Sequence, residues 1–150
     1  MGDSPLGITI VGGGVYAPRL CEALAHTLPA AVARLSLSAR HPARLQVLAA
    51  HAAGRLSAIR PEWSVVAAPS LAAALEHSSL VVLLARVGGF AARAWDEEFP
   101  RRYGLVGDEG LGPGGIANAW RTIPELDPAG FACPAITWVR ATCLNAIWRL

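Results

Sequence analysis

Two groups of residues in this chain are of kinds that could handle an anionic, hydroxylated small molecule. The first is Gly12-Gly13-Gly14-Val15-Tyr16-Ala17, which fits G-x-G-x-x-A on Gly12, Gly14 and Ala17. Glycine at position 12 lets the chain turn sharply. Gly14 carries no Cβ, so a pyrophosphate can come close to the backbone, and Ala17 lets the following helix pack tightly. The N–H groups freed at that helix start face an anion, and the helix dipole favours negative charge there. Gly12, Gly13, Gly14 and Val15 are therefore candidate cofactor-binding residues. A glycine triplet alone is also what a plain tight turn uses, so the flanking elements decide.

The second group is Arg86 with Gly88-Gly89, then Arg93, then Glu109 inside the glycine-rich stretch Gly107–Gly115. A cation, a carboxylate and pliant backbone gathered at one sheet edge suit such a ligand. Asp96, Glu97, Glu98, Arg101 and Arg102 lie among these residues and read, for the most part, as a solvated helix face.

The elements that must position both groups follow from hydrophobic periodicity. Ile8–Val11 is a β-branched run before the glycine turn, and Leu20, Leu24 and Leu28 recur in helical register after it, up to Pro29. Arg34–Ser38 alternates as a strand, and His41–Ile59 is a second helix with Pro42 in its first turn. Trp63–Ala67 is a third strand, and Pro69-Ser70 opens a short helix, Leu71–Glu76. Ser79–Ala85 is a continuous apolar run, as expected of a central parallel strand covered on both faces. The alternation predicts a Rossmann-like, doubly wound parallel sheet. The whole of 1–150 reads as one dinucleotide-binding domain, with an atypical tail after about residue 124.

The end of the second strand bears on the choice between NAD and NADP. An NAD site uses a carboxylate there for the ribose 2′-hydroxyl, but no Asp or Glu occurs between Glu22 and Glu62. Ser38, Arg40 and Arg44 stand in its place. A hydroxyl and two guanidinium groups suit a 2′-phosphate, which points to NADP or to relaxed specificity. The alternative is that Arg40 and Arg44 simply begin a solvated helix.

Composition narrows the function classes. A net charge of +2 is too small to argue for nucleic acid. No run reaches the about 18 apolar residues of a membrane helix, and Met1–Pro5 lacks a basic secretory start, so cytoplasm is the expected compartment. Cys21, Cys133 and Cys143 have no C-x-x-C spacing and read as buried free thiols, and the histidines are scattered. With 53% hydrophobic and 16% charged residues the chain is apolar for a free-standing domain. Part of its surface is expected to meet a partner, and a homo-oligomer is the expectation.

The residues from Arg86 onward carry a resemblance. Gly12-Gly13-Gly14 with Tyr16 and Pro18, Arg86-Val87-Gly88-Gly89, Arg93, Asp96-Glu97, Tyr103-Gly104, Glu109, Gly112-Pro113-Gly114-Gly115 and Arg121-Thr122-Ile123-Pro124 resemble glycoside hydrolase family 4 over Ile8 to Pro124. These are NAD- and metal-dependent 6-phospho-glycosidases and α-glucosidases. The resemblance implies a glycosidase outside the two-carboxylate scheme. NAD takes hydride from the sugar's C3 hydroxyl, and a divalent metal, typically manganese, polarises the resulting ketone. A tyrosine then removes the C2 proton and the glycosidic oxygen leaves by elimination. It implies that Gly12, Gly13 and Gly14 hold the pyrophosphate. Arg93 would contact the substrate, a phosphorylated sugar glycoside, at its 6-phosphate, and Glu109 would lie near the sugar hydroxyls or the metal. Arg86 is grouped with the cofactor-binding candidates.

The chain departs from the family at Ser38-Ala39-Arg40, where an acidic residue is usual, and at Asp108, where Gln is usual. The metal-binding Cys and His, the tyrosine base and the substrate domain are expected beyond residue 150. No catalytic or metal-ligating residue is therefore assigned within the chain, which is expected to be catalytically incomplete. The alternative is a non-catalytic NAD(P)-binding module or oligomerising remnant.

Overall fold

The computed structural model describes residues 6–12, 14–29, 33–130 and 137–140, with side chains placed up to residue 125 in the long C-terminal helix and backbone alone in the last strand. Its elements are β1 (Leu6–Gly12), α1 (Ala17–Thr27), β2 (Ala33–Ser38), α2 (Pro42–Leu56), β3 (Ser64–Ala67), α3 (Leu71–Leu75), β4 (Leu80–Leu84), α4 (Gly89–Glu98), α5 (Gly112–Gly130) and β5 (Thr137–Arg140). They form two compact units. One holds the residues up to Ala85 together with β5, and the other runs from Arg86 to the end of α5.

In the first unit the five strands pair in parallel in the order β3-β2-β1-β4-β5. This is the Rossmann-like arrangement expected from the alternation of elements. β1 is the centre of the sheet. Ile8 pairs with Leu35 on one side and Leu80 on the other, and Val11 with Ser38 and Leu83. A strand flanked on both edges and covered on both faces can expose nothing, and Ile8, Thr9 and Ile10 are fully buried. Thr9 is the polar exception. Its hydroxyl donates to the Ala74 carbonyl oxygen at 2.6 Å and also bonds the Ser78 hydroxyl, so no buried oxygen is left without a partner there.

As expected, Ala17 packs closely and Cys21 is buried. Ala17, Cys21 and Ala25 form the buried face of α1, while Leu20, Leu24 and Leu28 pack only partly against the core. Small side chains let the helix axis approach the sheet, and the leucines fill the flanks. α2 buries Leu45, Ala49, Ala52 and Leu56 at helical spacing. It stops before Ile59 because the Ile59 and Arg60 N–H groups both turn back to the Leu56 carbonyl, at 2.9 and 2.7 Å. Arg55 on α2 clamps Glu22 on α1 through two nitrogens, Nε at 2.9 Å from Oε2 and Nη2 at 2.8 Å from Oε1. Arg60 donates to the Ala25 and Leu28 carbonyls at the end of α1.

α5 runs through Pro124 to Gly130. A proline inside a helix forfeits one backbone hydrogen bond but does not oblige the chain to leave it. No helix among the described residues is long and apolar enough to cross a membrane. Cys133 and Cys143 lie outside the described residues.

Cys21 is buried against the sheet, and that desolvation pushes its thiol up to about 12, with a backbone hydrogen bond opposing it. The folded thiol therefore holds its proton more tightly than the unfolded one. Its contribution to stability is complete below the ordinary thiol value of 9.0 and is lost as pH rises through about 12. Native protein at pH 8 is expected to leave Cys21 unmodified by iodoacetamide, with labelling appearing only in denaturant. Peptide mapping of rapid native labelling at Cys21 would contradict this.

Candidate functional site

In an open parallel sheet, ligands bind beyond the carboxyl ends of the strands, where the strand order reverses. In the first unit that place is beside β1 and β4, and the glycine turn occupies it. Gly12 has a φ of +83°, and a Cβ there would sit 2.7 Å from the Ala85 Cα. Both the backbone conformation and the approach to the strand beside it require glycine. Gly14 (φ +48°) opens a 3₁₀ turn, Gly14–Tyr16, that leads into α1. Among the described residues beyond its chain neighbours, the Arg44 Nη2 at 3.7 Å is the one atom within 4 Å of its missing Cβ. The turn therefore has room for a group close to the backbone. That room, with the start of α1 beside it, fits a pyrophosphate. Val15 is exposed, and Gly13 lies outside the described residues.

The structure separates the three residues grouped at the end of β2. Ser38 is 8% exposed and paired with Val11 inside the sheet. Arg40 and Arg44 are both exposed, and neither has a polar partner among the described residues. Arg44 stands on the first turn of α2 and reaches back towards Gly14.

In the second unit, Arg86, Arg93 and Glu109 come together. Glu109 has one carboxylate oxygen 3.6 Å from the Arg86 Nη2 and the other 3.5 Å from the Arg93 Nε. The Arg93 Nε also donates to Glu97 at 2.6 Å. That bond, with the Glu109 charge adding to it, raises the Arg93 pKa further, so its guanidinium stays charged. Arg86 stacks over the Phe90 ring with its central carbon 5.1 Å from the centroid. One of its terminal nitrogens, Nη1, is buried without a hydrogen-bond partner among the described residues. The Glu109 loop is held by Asn118, which donates to the Glu109 carbonyl at 3.0 Å. Asp108 steadies it too, accepting from the Leu111 N–H at 3.0 Å. The cluster can bind an anion through its arginines and accept from hydroxyls through Glu109.

The solvated-face reading holds for Glu98, Arg101 and Arg102, which are exposed, but not for Asp96. Asp96 is not part of a solvated face but is 1% exposed, and its Oδ2 accepts from the Arg121 Nη2 on α5. Arg121 Nε lies 3.6 Å from where a Gly88 Cβ would be, so this ion pair packs beneath the left-handed Gly88 turn that follows Arg86. The surrounding run of acids hides the signal. Ala92, Asp96 and Pro100 share one face at helical spacing, which places the carboxylate in the middle of a small and apolar stripe. Gly114 lets α5 come this close, since a Cβ there would stand 2.4 Å from the Asp96 carbonyl oxygen. Glu98 and Arg102 do pair on the surface, at 2.8 Å.

Among the described residues no group of three or more His, Cys, Asp or Glu side chains could hold a metal ion. The described side chains therefore do not fit manganese.

The family model described as "Family 4 glycosyl hydrolase" matches residues 7–128. A probable 6-phospho-beta-glucosidase of Bacillus subtilis is 45% identical over 53 residues, covering 35% of this chain and 12% of the relative. The solved 6-phospho-beta glucosidase of Thermotoga maritima, with NAD and glucose-6-phosphate, superposes with a TM-score of 0.72 at 22% identity. It covers 93% of this chain and 34% of its own. A 6-phospho-alpha-glucosidase from gut microorganisms, in complex with NAD and Mn2+, superposes with a TM-score of 0.69 at 22% identity, with the same coverage. The chain thus spans about a third of the length of these solved relatives.

Arg121→Met should cost about 3–5 kcal/mol, because it leaves a buried carboxylate unpaired. Asp96→Asn should cost less, since Arg121 keeps access to water through a side chain that is 30% exposed. Urea denaturation measures both, and the reverse ranking would refute this account of the pair.

Proposed function

This chain belongs to glycosyl hydrolase family 4, and we propose that it is the cofactor-binding part of a 6-phospho-glycosidase whose reaction proceeds through oxidation of the sugar. The observation that carries the reading is the turn at Gly12 and Gly14, shaped for a diphosphate at the carboxyl end of β1. When bound, the nicotinamide cofactor supplies a reversible hydride acceptor. What this chain's residues do is bind and orient. The glycine turn and the start of α1 take the diphosphate, with Val15 beside it. Arg93 takes the phosphate of a 6-phosphorylated glycoside as a forked donor, and Arg86 adds a second cation. Glu109, held between the two arginines, accepts from a sugar hydroxyl. The relatives' NAD and glucose-6-phosphate are chemically suited to these two sets of side chains.

In this reading the metal ligands and the proton-abstracting base are supplied from outside the described residues, and the 150-residue chain is expected to bind cofactor without turning over. The second reading, a non-catalytic NAD(P)-binding module, rests on the glycine turn alone. Exposed Phe90 and Trp120, at 81% and 78%, favour self-association of this chain. Light scattering at micromolar protein should show a species heavier than 15.7 kDa.

Calorimetric titration tests the cofactor site. Gly14→Ala should weaken NAD binding by more than about tenfold, equivalent to 1.4 kcal/mol, by placing a methyl where the diphosphate sits. Its stability should fall by only about 1–2 kcal/mol, the cost of a left-handed alanine. Gly12→Ala should destabilise the fold more, through collision with Ala85. No heat from the unaltered chain with either NAD or NADP would overturn the reading. Turnover of a 6-phospho-glucoside by this chain with NAD and manganese would overturn the binding-only part of it.

A further inference from the structure

The position of Arg44 carries an inference about cofactor choice that rests on the proposed dinucleotide site. Leu45 is buried and its N–H closes the first α2 hydrogen bond to the His41 carbonyl at 2.9 Å, so the backbone at Arg44 is fixed. From there the guanidinium extends to Gly14 rather than staying at the end of β2. Among the described residues beyond the chain neighbours of Gly14, its Nη2 is the one atom within 4 Å of the empty Cβ position, and no carboxylate neutralises it. A diphosphate seated on the glycine turn would place its oxygens on that side of Gly14, within reach of a forked donor. The diphosphate is common to NAD and NADP, whereas the 2′-phosphate belongs to NADP alone. Ser38, the other group once grouped with Arg44, is enclosed in the sheet, and Arg40 remains the exposed cation just past the end of β2.

We propose that Arg44 is a diphosphate-binding residue that supports NAD and NADP equally, and that Arg40 alone distinguishes the two cofactors. A single guanidinium committed to the glycine turn is not available to a phosphate on the ribose. The absence of an acidic residue at the end of β2 then leaves NAD accepted without a dedicated ribose contact and NADP favoured only through Arg40.

The test is calorimetric titration of the 150-residue chain and its variants with NAD and with NADP, alongside thermal melting to confirm that each variant folds. Arg44→Ala should weaken both cofactors by the same factor, about tenfold or more for loss of one charge-assisted contact. Arg44→Lys should restore part of that loss. Arg40→Ala should leave NAD within about twofold and weaken NADP by about fivefold or more. An Arg44→Ala chain that loses NADP but keeps NAD would overturn the assignment of Arg44 while leaving the cofactor site intact. NADP binding unchanged by Arg40→Ala would overturn the assignment of Arg40. An unaltered chain that binds neither cofactor would remove the site itself, and this inference with it.

Discussion

The contact on which the first unit depends is the approach of β1 to the end of β4 at Gly12. β1 is paired on both edges and buried on both faces, so its end is fixed in place by β2 on one side and β4 on the other. Where it leaves the sheet, the backbone of Ala85 is too close for any side chain, and the turn needs a positive φ. Glycine satisfies both conditions. Everything that follows, the 3₁₀ turn, the start of α1 and the open space at Gly14, inherits its position from that crossing. Gly7 shows the same constraint at the other end of β1. A Cβ there would run into the His77 carbonyl oxygen.

The second unit is organised by a different physics. Asp96 and Arg121 bring opposite charges together in a nearly dry place, where the attraction is strong and the desolvation cost is high. Such a pair gives little net stability compared with a well-packed apolar one, but it fixes which face of α4 meets which face of α5. Asp96 Oδ1 and Arg121 Nε remain without partners among the described residues, which adds to that desolvation cost. Arg86, Arg93 and Glu109 form a second, half-buried cluster in which two cations face one carboxylate.

Electrostatics also separates two sites that share the same residue type. At the glycine turn, Arg44 has no carboxylate beside it among the described residues. In the second unit, Arg93 is held by Glu97 and Glu109 and presents a directed donor. The first arrangement suits a delocalised anion such as a diphosphate. The second suits a ligand with both a phosphate and hydroxyl groups.

What the sequence by itself determined was the set of elements, the parallel sheet and the glycine turn, because these rest on local rules. Alternating or continuous apolar runs report burial, and a G-x-G-x-x-A stretch between strand and helix reports a turn of one kind. The family block from Arg86 to Pro124 was legible for the same reason, being contiguous in the chain. Only the tertiary structure decided that Asp96 is buried, that Leu20, Leu24 and Leu28 stand at the flanks of the core, and that Arg44 turns towards Gly14. Each of those depends on what lies opposite a side chain in space, across 25 residues of chain for Asp96 and Arg121. A run of charged residues looks solvated until a partner on another helix is found for one of them.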